Sequence, residues 1–324
     1  MSSNIPKHHN KRGFHNLDTF RGPDFYDFLR WHFSAKNNDR STNAPPFALA
    51  QNDTVFLQNN RTENTVTWIG HATVLLQLNG INILTDPQFS ERASPVQWAG
   101  PRRVVPPGIS IDDLPIIDIV IISHDHYDSL DTNSIQNLYK RRGGHETKFF
   151  VPLGLKSWLN KQGVSRVFEL DWGDIHKENY FSITAVPVQH WSKRGIFSSN
   201  KTLWVGWIIH FENFNFIFVG DTGYTTYFKK IGREFGPFDL AAIPIGAYEP
   251  RWFMHYYHIS PEEAVQIHID LHAKKSIAIH WGTFKLTDEP LDEPPKRLDA
   301  ARKSKGISEQ EFMVFKHGQT WKLK

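Results

Sequence analysis

The chain of 324 residues contains no cysteine. Disulfides, thiolate nucleophiles and thiolate metal ligands are therefore excluded, and any metal centre must be built from histidine and carboxylate. Without cysteine, the redox compartment cannot be read. Net charge is also small: 37 Lys and Arg against 34 Asp and Glu give +3, too little to hold a nucleic-acid backbone, and no basic stretch stands out. Long apolar runs are missing as well. No 18 consecutive apolar residues occur, and the basic start MSSNIPKHHNKRGFHNLDTF lacks the apolar centre of a signal peptide. The expectation is a soluble, cytoplasmic protein with no membrane span. With 40% hydrophobic and 22% charged residues, the chain has ordinary globular composition and can bury a sizeable core.

What it does have is histidine, and the densest cluster lies in IDIVIISHDHYDSLD, residues 117–131. The apolar run 119–122 reads as a strand buried in a sheet. Directly after it come His124, His126, Asp128 and Asp131. Residues two apart in a connection leaving a strand can point the same way, so these side chains can converge on one volume. Neutral imidazole and carboxylate suit zinc and similar divalent ions. The plain alternative is a solvated polar turn that happens to hold two histidines.

Residues 1–60 read as a polar, basic, mobile tail carrying His8, His9 and His15 in solvent, then an aromatic amphipathic helix, then a linker; residues 61–324 form the main domain. The helix, FYDFLRWHFSAK after Pro23-Asp24, fits packing on the protein's own core better than docking on lipid, although a cationic helix with a wide apolar face suits both. From Val66 the pattern is that of a sheet. Asn79-Gly80 between two apolar runs predicts a tight β-hairpin, because both residues accept positive φ. The hairpin delivers Asp86 to a strand end in LTDPQF, where an Asp before proline could equally be a turn former. The proline-rich residues 88–115 form an irregular loop that could border a site.

The same grammar of apolar strand and then polar ligand recurs three times. Residues 183–188 lead to His190, residues 216–219 to Asp221 and residues 277–279 to His280. Singly each is unremarkable. Together, six His and Asp side chains from four strand ends would build a two-metal site. Other histidines read differently. His268 and His272 share a helix opened by Ser260, Pro261 and Glu263 as a capping box; their spacing is that of a zinc protease, but Ile269 stands where the general-base Glu is needed. His255 and His258, in the aromatic loop RWFMHYYHIS, suit a surface and a site role about equally.

In that order HDHYDSLD, His190, GDTG and HWGTF resemble the metallo-β-lactamase superfamily. TWIGHATVLLQ, LTDPQFSERASP, PVQHWSKRG, FVGDTGY, IPIGAYEPRWFMHYYHISPEEAV and HWGTF further resemble its N-acylphosphatidylethanolamine-hydrolysing phospholipase D branch, over residues 14–324. The resemblance implies an α/β fold, an αββα sandwich with metals at the sheet edges. It assigns His124, His126 and His190 to a first zinc, Asp128 and His280 to a second, and Asp221 as the bridge. One position departs from the pattern. The family reads H-x-H-x-D-H, and this chain has Ser129 in place of the last His. A hydroxyl is a poor neutral ligand, so the second zinc is expected to be weak, completed by water or absent in some conditions.

The activity implied is a zinc-dependent phosphodiesterase of phospholipase D type, releasing phosphatidic acid and an N-acylethanolamine. A water on zinc has its pKa lowered towards ~7 and supplies the nucleophile. The resemblance further implies that Asp128 orients that water, that Asp86 fixes a ligand imidazole and that His258 lies close to the substrate phosphate and donates a proton to the leaving oxygen. Phe25, Phe28, Trp31, Phe33, Trp98, Trp252, Phe253 and Tyr256 could border an apolar entrance, with core packing the expectation for more than half. The partners expected are the phospholipid and a transient, peripheral membrane contact, with no nucleic acid; homodimerisation stays open. The competing readings are a hydrolase of soluble lactones or small phosphoesters on the same fold and a non-catalytic metal-binding or membrane-docking protein whose site has lapsed.

Overall fold

The computed structural model describes residues 7–18, 22–23, 25–33 and 47–323. A short hairpin, β1 (His9–Asn10) and β2 (Gly13–Phe14), is followed by helices α1 (Phe25–His32) and α2 (Thr54–Asn59). The side chain of Asp53 caps α2 by accepting from Phe56 N. The first large sheet then forms from β3 (Thr65–Gly70), β4 (Thr73–Leu78), β5 (Ile81–Thr85) and β6 (Ile119–Ile121). Helix α3 (Thr132–Lys140), β7 (Lys148–Pro152), α4 (Lys156–Lys161) and β8 (Val167–Leu170) extend it. The expected hairpin joins β4 to β5, with Asn79 at φ 49° and Gly80 at φ 80°.

The second sheet contains β9 (Ile175–Lys177), β10 (Phe181–Val186), β11 (Gly206–Phe211) and β12 (Phe214–Phe218), then α5 (Tyr227–Phe235) and β13 (Leu240–Pro244). It continues through α6 (Arg251–Met254), α7 (Pro261–Asp270), β14 (Ser276–Ile279), α8 (Glu293–Ser304) and β15 (Phe312–Met313). The last strand, β16 (Thr320–Lys322), returns to the first sheet beside β3. The strand orders are β16-β3-β4-β5-β6-β7-β8 and β15-β14-β13-β12-β11-β10-β9. Each sheet is antiparallel in one half and parallel in the other.

Side chains alternate between two cores. On β6, Ile119 and Ile121 face the core shared by the sheets, while Val120 packs with Ile122 into a second core under α3 and α4. Phe228 and Ile231 of α5, Ile267 of α7 and Leu298 of α8 close the far side of the second sheet. The result is the expected αββα sandwich. Fully buried tryptophans satisfy their ring N–H groups inside it: Trp207 Nε1 donates to Ile122 O at 2.8 Å and Trp68 Nε1 to His71 O at 2.8 Å.

Two of the three N-terminal histidines, His8 and His9, depart from the expectation of a solvated tail. His8 is buried, its Nε2 is 2.6 Å from Asp171 Oδ1, and its ring stacks on Trp172. His9 Nε2 lies 2.8 Å from the other oxygen of the same carboxylate. A distant aspartate, not local polarity, decides where these two side chains go. His15 is exposed, as expected. On α1, Tyr26 and Phe28 are exposed, as is Phe33 just after it, whereas the half-buried Trp31 stacks on Phe253. No helix among the described residues is long and apolar enough to cross a membrane.

Candidate metal centre

All six expected ligands meet at one edge of the sandwich, where the C-terminal ends of β6, β10, β12 and β14 open into loops. His124 and His190 are buried, as are Asp221 and His280; His126 and Asp128 are half-buried. Three imidazole nitrogens form one cluster: His126 Nδ1 is 2.9 Å from His124 Nε2 and 3.2 Å from His190 Nε2. A second cluster gathers around carboxylates. His280 Nε2 is 3.0 Å from Asp221 Oδ2 and 3.3 Å from Asp128 Oδ2. Asp221 Oδ2 also lies 3.8 Å from His124 Nε2 and 4.0 Å from His190 Nε2, so one oxygen stands between the clusters.

Hydrogen bonds set the tautomers. His190 Nδ1 donates to the Tyr257 carbonyl at 2.9 Å, which leaves Nε2 bare and facing the site. His124 is held by a relay: Ser123 Oγ donates to Asp86 Oδ2 at 2.5 Å and accepts from His124 Nδ1 at 2.8 Å. Asp86 also accepts from Ser123 N at 2.7 Å. Asp86 is thus a positioning residue that acts on His124 through Ser123, a hydroxyl that escapes a search confined to His and Asp. Gly220, before Asp221, has φ 67°, and a Cβ there would come within 2.8 Å of Ser123 Cβ. Only glycine lets β12 deliver Asp221 so close to the relay.

Burial dominates the titration of the imidazoles, drawing His124 down to about 3, His258 to about 4 and His190 well below the ordinary range. These rings are neutral at pH 7, the form that ligates. For His280, burial works in the same direction but loses to Asp221 and Asp128, which raise it to about 10. Burial opposes charge on Asp128 and Asp221, yet the surrounding imidazoles hold both well below the ordinary carboxylate range. Two ionised carboxylates buried against one nitrogen require positive charge between them.

The donor set fits a divalent ion. Both Asp221 oxygens are buried with no partner of hydrogen-bond geometry, although His280 Nε2 is 3.0 Å away; His126 Nε2 and Ser129 Oγ are also buried and unpartnered. Leaving a buried carboxylate without donors is costly unless a cation takes their place. Neutral imidazole and carboxylate without sulfur suit zinc and related ions.

Other residues complete the edge. His258 lies with its ring centroid 5.2 Å from that of His190, and its ligating atom, one of His190 and one of Asp221 fall within 4.8 Å of each other. Its carbonyl accepts from Arg251 Nη1, and Arg251 Nη2 reaches Glu263 of the capping box that opens α7. His255 stays on the surface. His268 faces Ser276 Oγ at 2.8 Å and belongs to none of the candidate metal-binding groups, as the absence of a neighbouring general base implies.

Three residues were not singled out beforehand. Arg194 donates to the carbonyls of Asp125 and Leu130 and to Thr132 Oγ1, clamping the loop that carries His124 to Asp128. Asp125 accepts from Lys193 N and Thr202 Oγ1. His71, in the turn between β3 and β4, has Nε2 3.1 Å from Asp128 Oδ2. It follows the apolar run TWIG, so the strand-then-ligand grammar applies to it as well.

A β-lactamase superfamily domain matches residues 81–281. The N-acyl-phosphatidylethanolamine-hydrolyzing phospholipase D 1 of Caenorhabditis elegans is 44% identical over 270 residues, 79% of this chain and 74% of that protein. The mitochondrial N-acyl-phosphatidylethanolamine-hydrolyzing phospholipase D of Saccharomyces cerevisiae is 36% identical over 240 residues, 72% of this chain but 50% of the yeast protein. Among solved structures, a metallo hydrolase from the archaeon Ignicoccus hospitalis superposes with a TM-score of 0.60 at 21% identity, over 81% of this chain and 99% of that one, a likeness of fold. With this sandwich and these matches, the chain belongs to the β-lactamase superfamily and, within it, to the N-acyl-phosphatidylethanolamine-hydrolyzing phospholipase D family.

Proposed function

We propose that this chain is a zinc-dependent phosphodiesterase of phospholipase D type, hydrolysing N-acylphosphatidylethanolamine or related phospholipids to phosphatidic acid and an N-acylethanolamine. The observation that carries the reading is the convergence of His124, His126, His190, Asp128, Asp221 and His280 on one sheet edge in a chain of this family. His124, His126 and His190 would hold one zinc, Asp128 and His280 a second, and Asp221 would bridge them. Bound there, the ions supply an acidified water and neutralise charge growing on the phosphoryl oxygens.

The chain's own residues do the rest. Asp128, half-buried and therefore on the open side of the site, accepts a hydrogen bond from the attacking water and orients it. An O–P bond forms to that water as the P–O bond to the ethanolamine oxygen breaks, and the proton released by the water ends on that departing oxygen to give the free alcohol. His258, held neutral by burial, offers one N–H as a hydrogen-bond donor to a phosphoryl oxygen. Asp86 keeps His124 in register through Ser123. No protein nucleophile is required.

Membrane contact is part of the proposal. Trp98, Ile196 and Phe197 are 82%, 84% and 92% exposed. They sit on the loops that leave Asp86 and His190. Apolar side chains on loops beside the site suit insertion at a lipid interface, where the substrate's acyl chains lie. Incubating the purified protein with vesicles containing N-acylphosphatidylethanolamine and analysing products by mass spectrometry tests the activity. Release of both products supports it; turnover of a soluble lactone or small phosphoester with none of the lipid would replace it.

A further inference from the structure

The second cluster is short of a ligand. Asp128, Asp221 and His280 converge there, but Ser129 occupies the position of the family's last histidine. Its hydroxyl is buried without a hydrogen-bond partner. We propose that His71 completes this centre, binding the second metal through Nε2 in place of the side chain that Ser129 lacks. The inference rests on the di-metal reading above and adds a ligand from outside the H-x-H-x-D-H segment.

Geometry carries it. Tetrahedral ligands at ~2.0–2.1 Å from zinc are separated from one another by about 3.3 Å. His71 Nε2 lies 3.1 Å from Asp128 Oδ2, His280 Nε2 lies 3.3 Å from the same oxygen, and His280 Nε2 lies 3.0 Å from Asp221 Oδ2. Three edges of one coordination polyhedron are thus already at the right length. Ligand atoms from His71, Asp128 and His280 all fall within 4.8 Å of one another, and the two imidazole centroids are 4.1 Å apart. Neutral imidazole is a good zinc ligand where a serine hydroxyl is a poor one.

The backbone holds His71 there at a cost. It has φ 53°, the left-handed region that a residue with a Cβ rarely occupies, and His280 has φ 60°. The conformation of His71 is fixed on both sides: its N–H donates to Thr283 Oγ1 at 2.8 Å, and its carbonyl accepts from Trp68 Nε1 at 2.8 Å and His280 N at 2.8 Å. The last bond ties the two imidazole-bearing residues backbone to backbone. A histidine strained, buried and coupled in this way to the proposed ligand His280 is held where a fourth donor is needed.

The test reads metal, not turnover. Full-length protein carrying ¹⁵N-labelled histidine and loaded with ¹¹³Cd should show a one-bond cadmium–nitrogen coupling to His71 Nε2. Absence of that coupling while His280 shows one would mean that His71 only hydrogen-bonds to Asp128, and would overturn the proposal. In parallel, chelator competition with zinc should show two ions per chain for the parent protein. His71→Ala should keep the first ion and weaken the second by 100-fold or more, and adding Ser129→His to that variant should restore it. Two ions held with unchanged affinity in His71→Ala would contradict the proposal. Because neither measurement involves lipid, a missing lipid product would sink the phospholipase reading while leaving this one standing.

Discussion

At the scale of single residues, the site is a problem of where lone pairs point. His190 faces inward because its other nitrogen is committed to Tyr257 O, and His124 because its Nδ1 is committed to Ser123. Asp221 has no donor of its own and places one oxygen between the two clusters. His190→Ala and Asp221→Ala are therefore expected to lower hydrolysis by at least ~10³-fold, because each removes a proposed metal ligand. Far-ultraviolet circular dichroism should stay native; parental turnover in either variant would remove the assignment. Ser123→Ala keeps every ligand but cuts the relay from Asp86. Loss of such an outer partner costs roughly 10–100-fold in metal affinity, readable by chelator competition. An unchanged affinity would mean that Asp86 holds only the backbone of Ser123.

At the scale of elements, the loop after β6 carries three of the six proposed ligands and is secured by a side chain from the loop after β10. Arg194 lies over the rings of Tyr127 and Trp158 and donates to two loop carbonyls. Arg194→Met leaves those carbonyls unpaired at about 1–3 kcal/mol each. The variant should lose on the order of 3 kcal/mol of stability, seen as a lower urea midpoint, with weaker metal retention. A parental midpoint would mean that water replaces the guanidinium at no cost. Elements were also where the sequence was most legible. The strands before His124, His190, Asp221 and His280, the Asn79-Gly80 hairpin and the capping box of α7 all formed where periodicity and local chemistry placed them. His71 also follows an apolar run, but what sets it apart is its contact with Asp128, 57 residues away, which only the tertiary fold supplies. His8 was misread for the same reason: its partner Asp171 is 163 residues distant, so only the tertiary fold could reveal it.

At the scale of the whole molecule, two sheets of like topology bring their strand ends to one edge, which lets residues from 71 to 280 share a few ångströms. Burial at that scale also sets acid stability. His317 is enclosed against Trp68, beside Thr283 Oγ1, and burial, with Arg103 and His71 nearby, lowers it to about 3. Between that value and the ordinary 6.5 the unfolded chain binds a proton that the folded chain refuses, so stability rises with pH across this window. The contribution is complete above 6.5 and is lost as pH falls towards 3. At ~1.4 kcal/mol per unit, His317 should account for on the order of 3 kcal/mol of the difference between pH 7 and pH 4. Urea unfolding of chelator-treated protein should show a smaller difference for His317→Gln than for the parent; identical differences would contradict this.

Whether this edge is a metal-dependent phosphodiesterase site is decided by two readouts joined on one sample. Elemental analysis of the purified chain is set beside mass spectrometry of products from mixed phospholipid vesicles. Two zinc ions per chain are expected, with phosphatidic acid and N-acylethanolamine released together. Metal-replete protein that leaves the lipid intact, or a chain that binds no metal, would contradict that assignment.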